Sequence, residues 1–300
     1  MYNGIINIYK EAGFTSHDVV AKMRGILGQK KIGHTGTLDP LATGVLPVCL
    51  GSGTKLCDML TDRDKEYVAE MILGISTDTQ DITGEVARRM PVECGEEETR
   101  EAIARFVGEY EQIPPMYSAL KVNGKKLYEL AREGRVVERA PRRVKIYEIE
   151  ILDIKLPVVK MRVACSKGTY IRTLCADIGD RLGCGGAMQS LVRTKAGPFE
   201  LGTALRLDEL ERLRDEGRIA EKLVAPDSLF ADCPALHVKA EALRLLENGN
   251  CIGPERTREG EIHAPDRQVR MYGENGSFAG IYVYEEERKC YKPVRMFLER

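Results

Sequence analysis

The sequence lacks the cysteine and histidine patterns of a metalloprotein or a disulfide-bonded protein. Its nine cysteines are scattered through 300 residues with no C-x-x-C pair, and its four histidines show no metal-ligand spacing. We therefore expect no disulfide framework and no metal, and we interpret the cysteines as reduced core thiols.

Long apolar runs are also missing. No run approaches the ~20 residues that a membrane-spanning helix needs. The N-terminal residues 1–5 contain no basic region ahead of an apolar core, as a secretory signal would. These absences predict a cytoplasmic protein, and 300 residues are enough for one large domain and a small one.

Excess charge of either sign is absent too, but the charge is unevenly distributed. A net charge of −1 argues against broad nucleic-acid binding. Nevertheless, residues 121–145 hold nine Lys or Arg and three Glu, and a second basic cluster lies within residues 22–31. From charge alone, these segments are either solvated surface or sites of selective phosphate contact.

Hydrophobic periodicity predicts an α+β protein, because strands and helices alternate without a βαβ rhythm. A helix is expected from Thr15 or Ser16 to Gly28, and an alternating strand over residues 65–73. After residue 230, short strands are predicted at 261–263, 268–272, 278–284 and 293–298. We therefore divide the chain into a large domain, 1–230, and a small β-rich module, 231–300.

The segment His34–Pro47 carries most of the chemical information. It reads H-T-G-T-L-D-P-L-A-T-G-V-L-P, with three glycine or proline residues close to Asp39. Glycine permits unusual backbone shapes, and Pro40 restricts the chain directly after the carboxylate. One interpretation is an Asp-Pro turn; the other is a carboxylate held rigidly beside a buried strand, as a nucleophile or general base must be.

The whole segment resembles the catalytic loop of the pseudouridine synthases, in the version found in bacterial tRNA pseudouridine-55 synthases (TruB type). The family pattern G-H-x-G-T-L-D-P-x-A-x-G-V-L appears here without a gap. The resemblance implies a pseudouridine synthase fold with a mixed, mainly antiparallel central sheet flanked by helices and loops. It also implies that the C-terminal module is PUA-like and binds RNA.

The resemblance assigns catalytic roles to three residues. Asp39 matches the essential nucleophile of the family. Tyr67, in a K-x-Y pattern, matches the aromatic residue that stacks on the target uracil. Arg172, in the string S-K-G-T-Y-I-R, matches the arginine that partners the nucleophile. Isomerisation of uridine needs neither a metal nor a redox cofactor, so none is expected.

Five residues are expected to bind the substrate. The resemblance makes Tyr67 and Leu191 neighbours of the uracil and places Tyr170 beside the target nucleotide. His34 matches a histidine that takes the place of the extracted base, and Asp81 matches an aspartate that orients the target or the pocket. Outside the family context, each of these is an ordinary core or surface residue.

The expected function is isomerisation of uridine 55, in the T loop of tRNA, to pseudouridine on a flipped-out base. The protein is expected to be a monomer that contacts the T-arm stem-loop, partly through residues 121–145. Two alternatives remain: a non-catalytic tRNA-binding or folding protein, and a pseudouridine synthase for another RNA. In addition, Glu11 stands where the family usually has proline, which leaves the local loop shape open.

Overall fold

The computed structural model describes residues 1–122, 124–262 and 268–298. Its strands are β1 (Gly4–Lys10), β2 (Ile32–His34), β3 (Thr43–Leu50), β4 (Lys65–Leu73), β5 (Ile75–Thr77), β6 (Val86–Arg89), β7 (Gly108–Gln112), β8 (Lys121–Val122), β9 (Lys125–Lys126), β10 (Arg142–Lys155), β11 (Val158–Cys165), β12 (Gly186–Ala196), β13 (Phe199–Glu200), β14 (Ala235–His237), β15 (Gln268–Tyr272), β16 (Phe278–Glu285) and β17 (Cys290–Met296).

The α-helices are α1 (Ser16–Leu27), α2 (Cys57–Thr61), α3 (Glu96–Ala104), α4 (Leu127–Arg132), α5 (Ile171–Arg181), α6 (Leu207–Asp215) and α7 (Leu243–Glu247). Short 3₁₀ turns cover Gly51–Leu56, Leu201–Thr203, Ile219–Lys222, Pro226–Phe230, Ala240–Ala242 and Pro254–Arg256. In the described ranges, no helix has the length and apolar character to cross a membrane.

The boundaries of α1 follow from its capping residues. The Thr15 hydroxyl accepts a hydrogen bond from the backbone N–H of Asp18 (3.1 Å), and the Asp18 carboxylate accepts one from the backbone N–H of Thr15 (2.8 Å). This reciprocal pair satisfies two N–H groups at the helix start. Gly28 ends the helix in the left-handed conformation, φ 61°. The predicted helix is therefore confirmed.

The central sheet has nine strands, in the order β1-β3-β12-β4-β11-β10-β7, with β2 paired to β3 and β13 to β12. Only the short β12–β3 pairing is parallel among the described pairs of this sheet. The α+β class with a mixed, mainly antiparallel sheet is confirmed.

Strand β4 occupies the middle of the sheet and alternates between buried and half-buried positions. Its buried face includes Tyr67, Ala69, Met71 and Leu73, as its sequence predicts. The face packs with Cys175 and Ile178 of α5 in one apolar cluster. Because β3, β12 and β4 are neighbours, residues far apart in sequence meet on this face.

The C-terminal module forms a second sheet, with the order β14-β15-β16-β17. Its core includes Leu236, Val269 and Tyr282. The predicted strand over 268–272 is confirmed, and the others differ in extent. The strand predicted at 261–263 is wrong for residues 261 and 262, which are irregular, and residue 263 lies outside the described residues.

Gly44 provides a test of the close approach between β3 and β12. It has φ +102°, and a Cβ built on it would lie 2.3 Å from the Arg193 carbonyl oxygen. We expect Gly44→Ala to lower the free energy of unfolding by at least about 2 kcal/mol, since the methyl is both strained and overpacked. Urea denaturation measures the change.

Gly25→Ala is the matched control, because Gly25 lies in α1 and its added Cβ would meet no atom within 4 Å. Removal of a helical glycine there should stabilise the protein by up to about 1 kcal/mol. Equal unfolding free energies for the two variants would contradict the packing described for β3 and β12.

Candidate active site

The loop that carries Asp39, residues 35–42, is held from below by β1 and α1. The Lys10 ammonium is fully buried and donates hydrogen bonds to the carbonyls of Ala42 (2.5 Å) and Pro40 (3.2 Å). The Ser16 hydroxyl accepts a hydrogen bond from the backbone N–H of Leu38 (2.9 Å). Backbone on both sides of Asp39 is thus tied to rigid elements, as a reactive group requires.

Glu11 is held by an ion pair beside this loop. Its carboxylate pairs with the Arg206 guanidinium at the start of α6, and that guanidinium also lies over the Tyr9 ring at 4.8 Å. Two residues later, the Gly13 N–H donates to the Pro40 carbonyl (2.9 Å). The segment around Glu11 is thus fixed by an ion pair on one side and by the Asp39 loop on the other.

Asp39 forms a two-point ion pair with Arg172. The Arg172 Nε lies 2.9 Å from Asp39 Oδ2, and its Nη2 donates to Asp39 Oδ1 at 3.2 Å. The arginine side chain is 5% exposed, whereas the aspartate side chain is 34% exposed. The carboxylate is therefore partly exposed to solvent, while its partner is buried.

Arg172 is itself anchored by three further acceptors. Its Nη1 donates to the Thr79 carbonyl (3.0 Å) and lies 3.8 Å from an Asp81 carboxylate oxygen, and its Nη2 donates to the Tyr117 carbonyl (2.8 Å). A guanidinium satisfied on all sides keeps a single orientation. The pairing of Asp39 with Arg172 is thus imposed by the fold.

Asp81 is buried, and protein groups satisfy its carboxylate with hydrogen bonds. Its Oδ1 accepts hydrogen bonds from the Thr79 hydroxyl (2.8 Å), the Thr83 backbone N–H (3.0 Å) and the Thr83 hydroxyl (2.5 Å). The other oxygen, Oδ2, faces Arg172. This places Asp81 behind the arginine as its anchor.

The pKa of Asp39 reflects competing effects. Burial raises it, the Arg172 guanidinium opposes that rise, and the nearby Asp81 charge adds to it. The net direction is upward, so the proton leaves Asp39 at a higher pH than it leaves an exposed aspartate. Burial is the largest of these effects and accounts for the upward direction of the pKa.

Tyr67 and Leu191 form an apolar wall beside this ion pair. They are 8% and 7% exposed, respectively, and share one cluster with Leu38 of the Asp39 loop. Burial raises the pKa of Tyr67, so its phenol is neutral at physiological pH. A flat ring and an aliphatic side chain next to a carboxylate suit an aromatic heterocycle.

Tyr170 precedes α5 by one residue, and its backbone is locked. Its N–H donates to Gln112 Oε1 (2.7 Å), and Gln112 Nε2 donates to its carbonyl (2.9 Å). Burial raises the pKa of the Tyr170 phenol, which is half-buried.

His34 lies at the end of β2, where the Asp39 loop begins. Its ring meets the edge of the His17 ring at 5.3 Å, and burial together with the His17 and Arg193 charges lowers its pKa to about 4. The ring is uncharged at neutral pH. Unlike Arg172, His34 forms no hydrogen bond or ion pair with Asp39 among the described residues.

Sequence reasoning missed three contributors. Lys10 hydrogen-bonds to the loop, yet one lysine at the end of a predicted strand gives no sign of that contact. The Tyr117 carbonyl acts through the backbone, which no side-chain pattern reveals. Arg193 is 1% exposed beneath the loop, but its sequence neighbours do not distinguish it from a surface arginine of a strand.

Most of the chain is similar in sequence to one known protein family. Residues 24–171 match the N-terminal domain of the TruB family pseudouridylate synthases, and residues 172–230 match the C-terminal domain of tRNA pseudouridylate synthase B. Two relatives are named tRNA pseudouridine synthase B. The one from Lachnoclostridium phytofermentans is 52% identical, with 99% of this chain and 100% of that protein covered. The one from Alkaliphilus oremlandii is 47% identical, with 99% of each covered.

Solved structures with the same fold include chains of H/ACA RNP and Cbf5 complexes. One comes from an H/ACA RNP bound to a substrate RNA containing 2′-deoxyuridine, with a TM-score of 0.71 and 25% identity over 99% of this chain and 86% of that one. Another belongs to a Cbf5-Nop10-Gar1 complex, with a TM-score of 0.72 and 28% identity over 99% of this chain and 85% of that one.

The raised pKa of Asp39 generates a stability prediction. A carboxyl whose pKa is higher in the folded state binds its proton more tightly there. Folding stability therefore falls as the pH rises from 3.8, the ordinary value, through the raised pKa. We expect Asp39→Asn to raise the Tm at pH 7 and to leave it nearly unchanged near pH 4, as calorimetry can measure.

Asp81→Asn is the matched comparison and should lower the Tm at pH 7, because it removes a hydrogen-bonded charge that faces Arg172. A lower Tm for Asp39→Asn at pH 7 would show that the ion pair with Arg172 outweighs the burial of Asp39.

Proposed function

Since the chain belongs to the TruB family of pseudouridylate synthases, we propose that it modifies the T-loop uridine of tRNA, at position 55, with Asp39 as the nucleophile. The activity class is that of its relatives: the protein is a tRNA pseudouridine synthase, an isomerase. Position 55 is the family's activity, and the assignment of individual residues is our proposal.

One observation carries the role of Asp39. Its carboxylate is paired at two points with a buried arginine, and about one-third of the aspartate side chain is still exposed to solvent. The reaction must break the bond from ribose C1′ to N1 of uracil, turn the base, and rejoin it through C5. The first step of the carboxylate is attack on C1′, attack on C6 or removal of the 2′ proton, and each route requires it to be ionised and correctly oriented. The Arg172 guanidinium stabilises the ionised form and fixes the orientation.

The neighbouring residues suit a flipped uracil. Tyr67 and Leu191 would hold the base from its apolar side, and stacking on an aromatic ring stabilises such a base by ~1–3 kcal/mol. We assign Tyr170 to the target nucleotide and Asp81 to the anchoring of Arg172. The uncharged ring of His34 would fill the gap that the extracted base leaves in the RNA stack.

The T arm has a candidate contact surface in residues 121–145, which we call the basic segment. Of its nine basic side chains, Lys121, Arg132, Arg142 and Lys145 belong to no ion pair in the described part of the chain, and all four are exposed. Exposed cations without a carboxylate partner suit phosphate contact. The small sheet after residue 230 is proposed as a PUA-like RNA-binding module, residues 231–300.

We further propose a cytoplasmic monomer that acts without a guide RNA. The relatives at 47–52% identity are named for tRNA, whereas the RNP structures are 25–28% identical. A non-catalytic tRNA-binding protein is the other candidate, and it would need neither the aimed carboxylate nor the anchored arginine.

The first experiment measures tritium release from a tRNA transcript that carries tritium at C5 of uridine. C5 loses its hydrogen only when the new carbon–carbon bond has formed. We expect one equivalent from the wild type, none from Asp39→Asn, and undiminished release from the control Asp180→Asn, whose exposed carboxylate pairs with Arg88.

Replacement of the T-loop uridine by cytidine should abolish release. Release that persists would overturn the target, and tight binding without any release by the wild type would favour the non-catalytic candidate.

The pH profile tests the ionisation of Asp39. The single-turnover rate should fall as the pH falls through the pKa of Asp39, which burial has raised. Asp81→Asn removes a nearby negative charge, so the acid limb should move to lower pH while the plateau rate drops. The measurement is the single-turnover rate at saturating enzyme across the pH range. The control Asp180→Asn should keep the acid limb of the wild type. An acid limb that moves to higher pH would contradict the assigned charges.

A further inference from the structure

Arg193 is a buried cation that the proposed roles leave unused. It is 1% exposed, and in the described ranges it takes part in no ion pair within 4.0 Å. An arginine stays charged inside proteins, and burial of an unpaired charge costs several kcal/mol. Such a cost is tolerated where the charge has a function.

The sheet register places this charge under the pocket. On β12, Arg193 is opposite Tyr67 of β4, and Leu191 lies two residues earlier on the same strand. Residues directly opposite, and residues two apart on one strand, share a face of the sheet. Arg193 therefore lies on the same face as the two residues that we assign to the uracil.

Its hydrogen bonds tie the charge to the Asp39 loop. Nε donates to the Val45 carbonyl (2.7 Å), and Nη2 donates to the Gly36 carbonyl (3.3 Å). These carbonyls lie on either side of Asp39 in the chain. Neutral carbonyls orient the guanidinium without cancelling its charge, so a net positive charge remains beneath the pocket.

The positive charge of Arg193 lowers the pKa of two neighbouring side chains. Burial raises the pKa of Tyr67, and the Arg193 guanidinium pulls it back down. Burial lowers the pKa of Lys10 to about 8, and after the opposing effect of Asp39 the Arg193 charge lowers it further. In both cases Arg193 favours the more negative form of its neighbour.

We propose that Arg193 stabilises the negative charge on the uracil while the base is detached from the ribose. When the C1′–N1 bond breaks, its electron pair stays on N1 and the base becomes an anion, while C1′ either bonds to an Asp39 carboxylate oxygen or forms a double bond to C2′ as C2′ gives its proton to Asp39. When C5 then bonds to C1′, the Asp39–C1′ bond breaks or C2′ takes its proton back, and the ring is neutral. Finally C5 loses its proton and N1 gains one, which restores the conjugated ring. A fixed, buried positive charge beside the base favours the anionic stage. The inference rests on the proposed function.

The test compares the rates of Arg193→Gln and Arg193→Lys on two tRNAs, one with uridine and one with 5-fluorouridine at the target. Fluorine withdraws electrons and stabilises the detached anion without help from the protein. Consumption of the target nucleoside is followed in single turnover by chromatography of digested tRNA. The Tm and the tRNA affinity are measured for each variant.

We expect Arg193→Gln to slow the uridine reaction by about a hundredfold and the 5-fluorouridine reaction by less than about tenfold. Arg193→Lys keeps the charge, so its losses on both should stay within about tenfold. Arg162→Gln, an arginine of β11 paired with Glu66, is the control and should match the wild type.

Equal losses of Arg193→Gln on both bases, or no loss on uridine, would overturn the proposal, because a purely structural role cannot distinguish the bases. If Arg193→Gln does not fold, a folded Arg193→Lys with equal losses above about a hundredfold on both bases would overturn it as well. The wild-type rate on uridine tests the proposed function separately.

Discussion

The site depends on keeping one guanidinium, that of Arg172, out of water and fully satisfied. Desolvation of a charge is compensated only when every donor has a well-placed acceptor. Three chain segments supply these acceptors: the Asp39 loop, the segment with Thr79 and Asp81, and the Tyr117 loop. Helix α5 carries the arginine itself. The central sheet matters chiefly because it brings these segments together around Arg172.

Two buried arginines flank the Asp39 loop with different partners. Arg172 meets carboxylates, so its charge is largely compensated and its role is orientation. Arg193 donates to backbone carbonyls and pairs with no carboxylate in the described part of the chain, so its charge is not neutralised. The Asp39 loop thus lies between a compensated and an uncompensated cation. With the roles proposed above, the first would orient the carboxylate and the second would act on the base.

Much of the fold could be predicted from local sequence. Strand β4 alternates regularly, and α1 has both a capping residue and a terminal glycine, so propensity and tertiary structure agree. The errors come where local signals are weak. Residues 261 and 262 have strand-like composition without a pairing partner. Motif resemblance identified Asp39 and Arg172, but it could not reveal Arg193 or the Tyr117 carbonyl, because those contacts exist only once distant strands have met.

The Tyr117 carbonyl connects Arg172 to the surface that we propose contacts RNA. Tyr117 lies four residues before the basic segment, and its backbone holds Arg172 while its hydroxyl donates to Asp78 (3.3 Å). A shift of this region on RNA binding would change the acceptors around Arg172. Arg172 orients Asp39 and opposes the rise in its pKa that burial causes. The proposed RNA contact and the orientation of the carboxylate would therefore be coupled through one hydrogen bond. With that coupling, a substrate that does not engage the basic segment would meet a less well-oriented carboxylate.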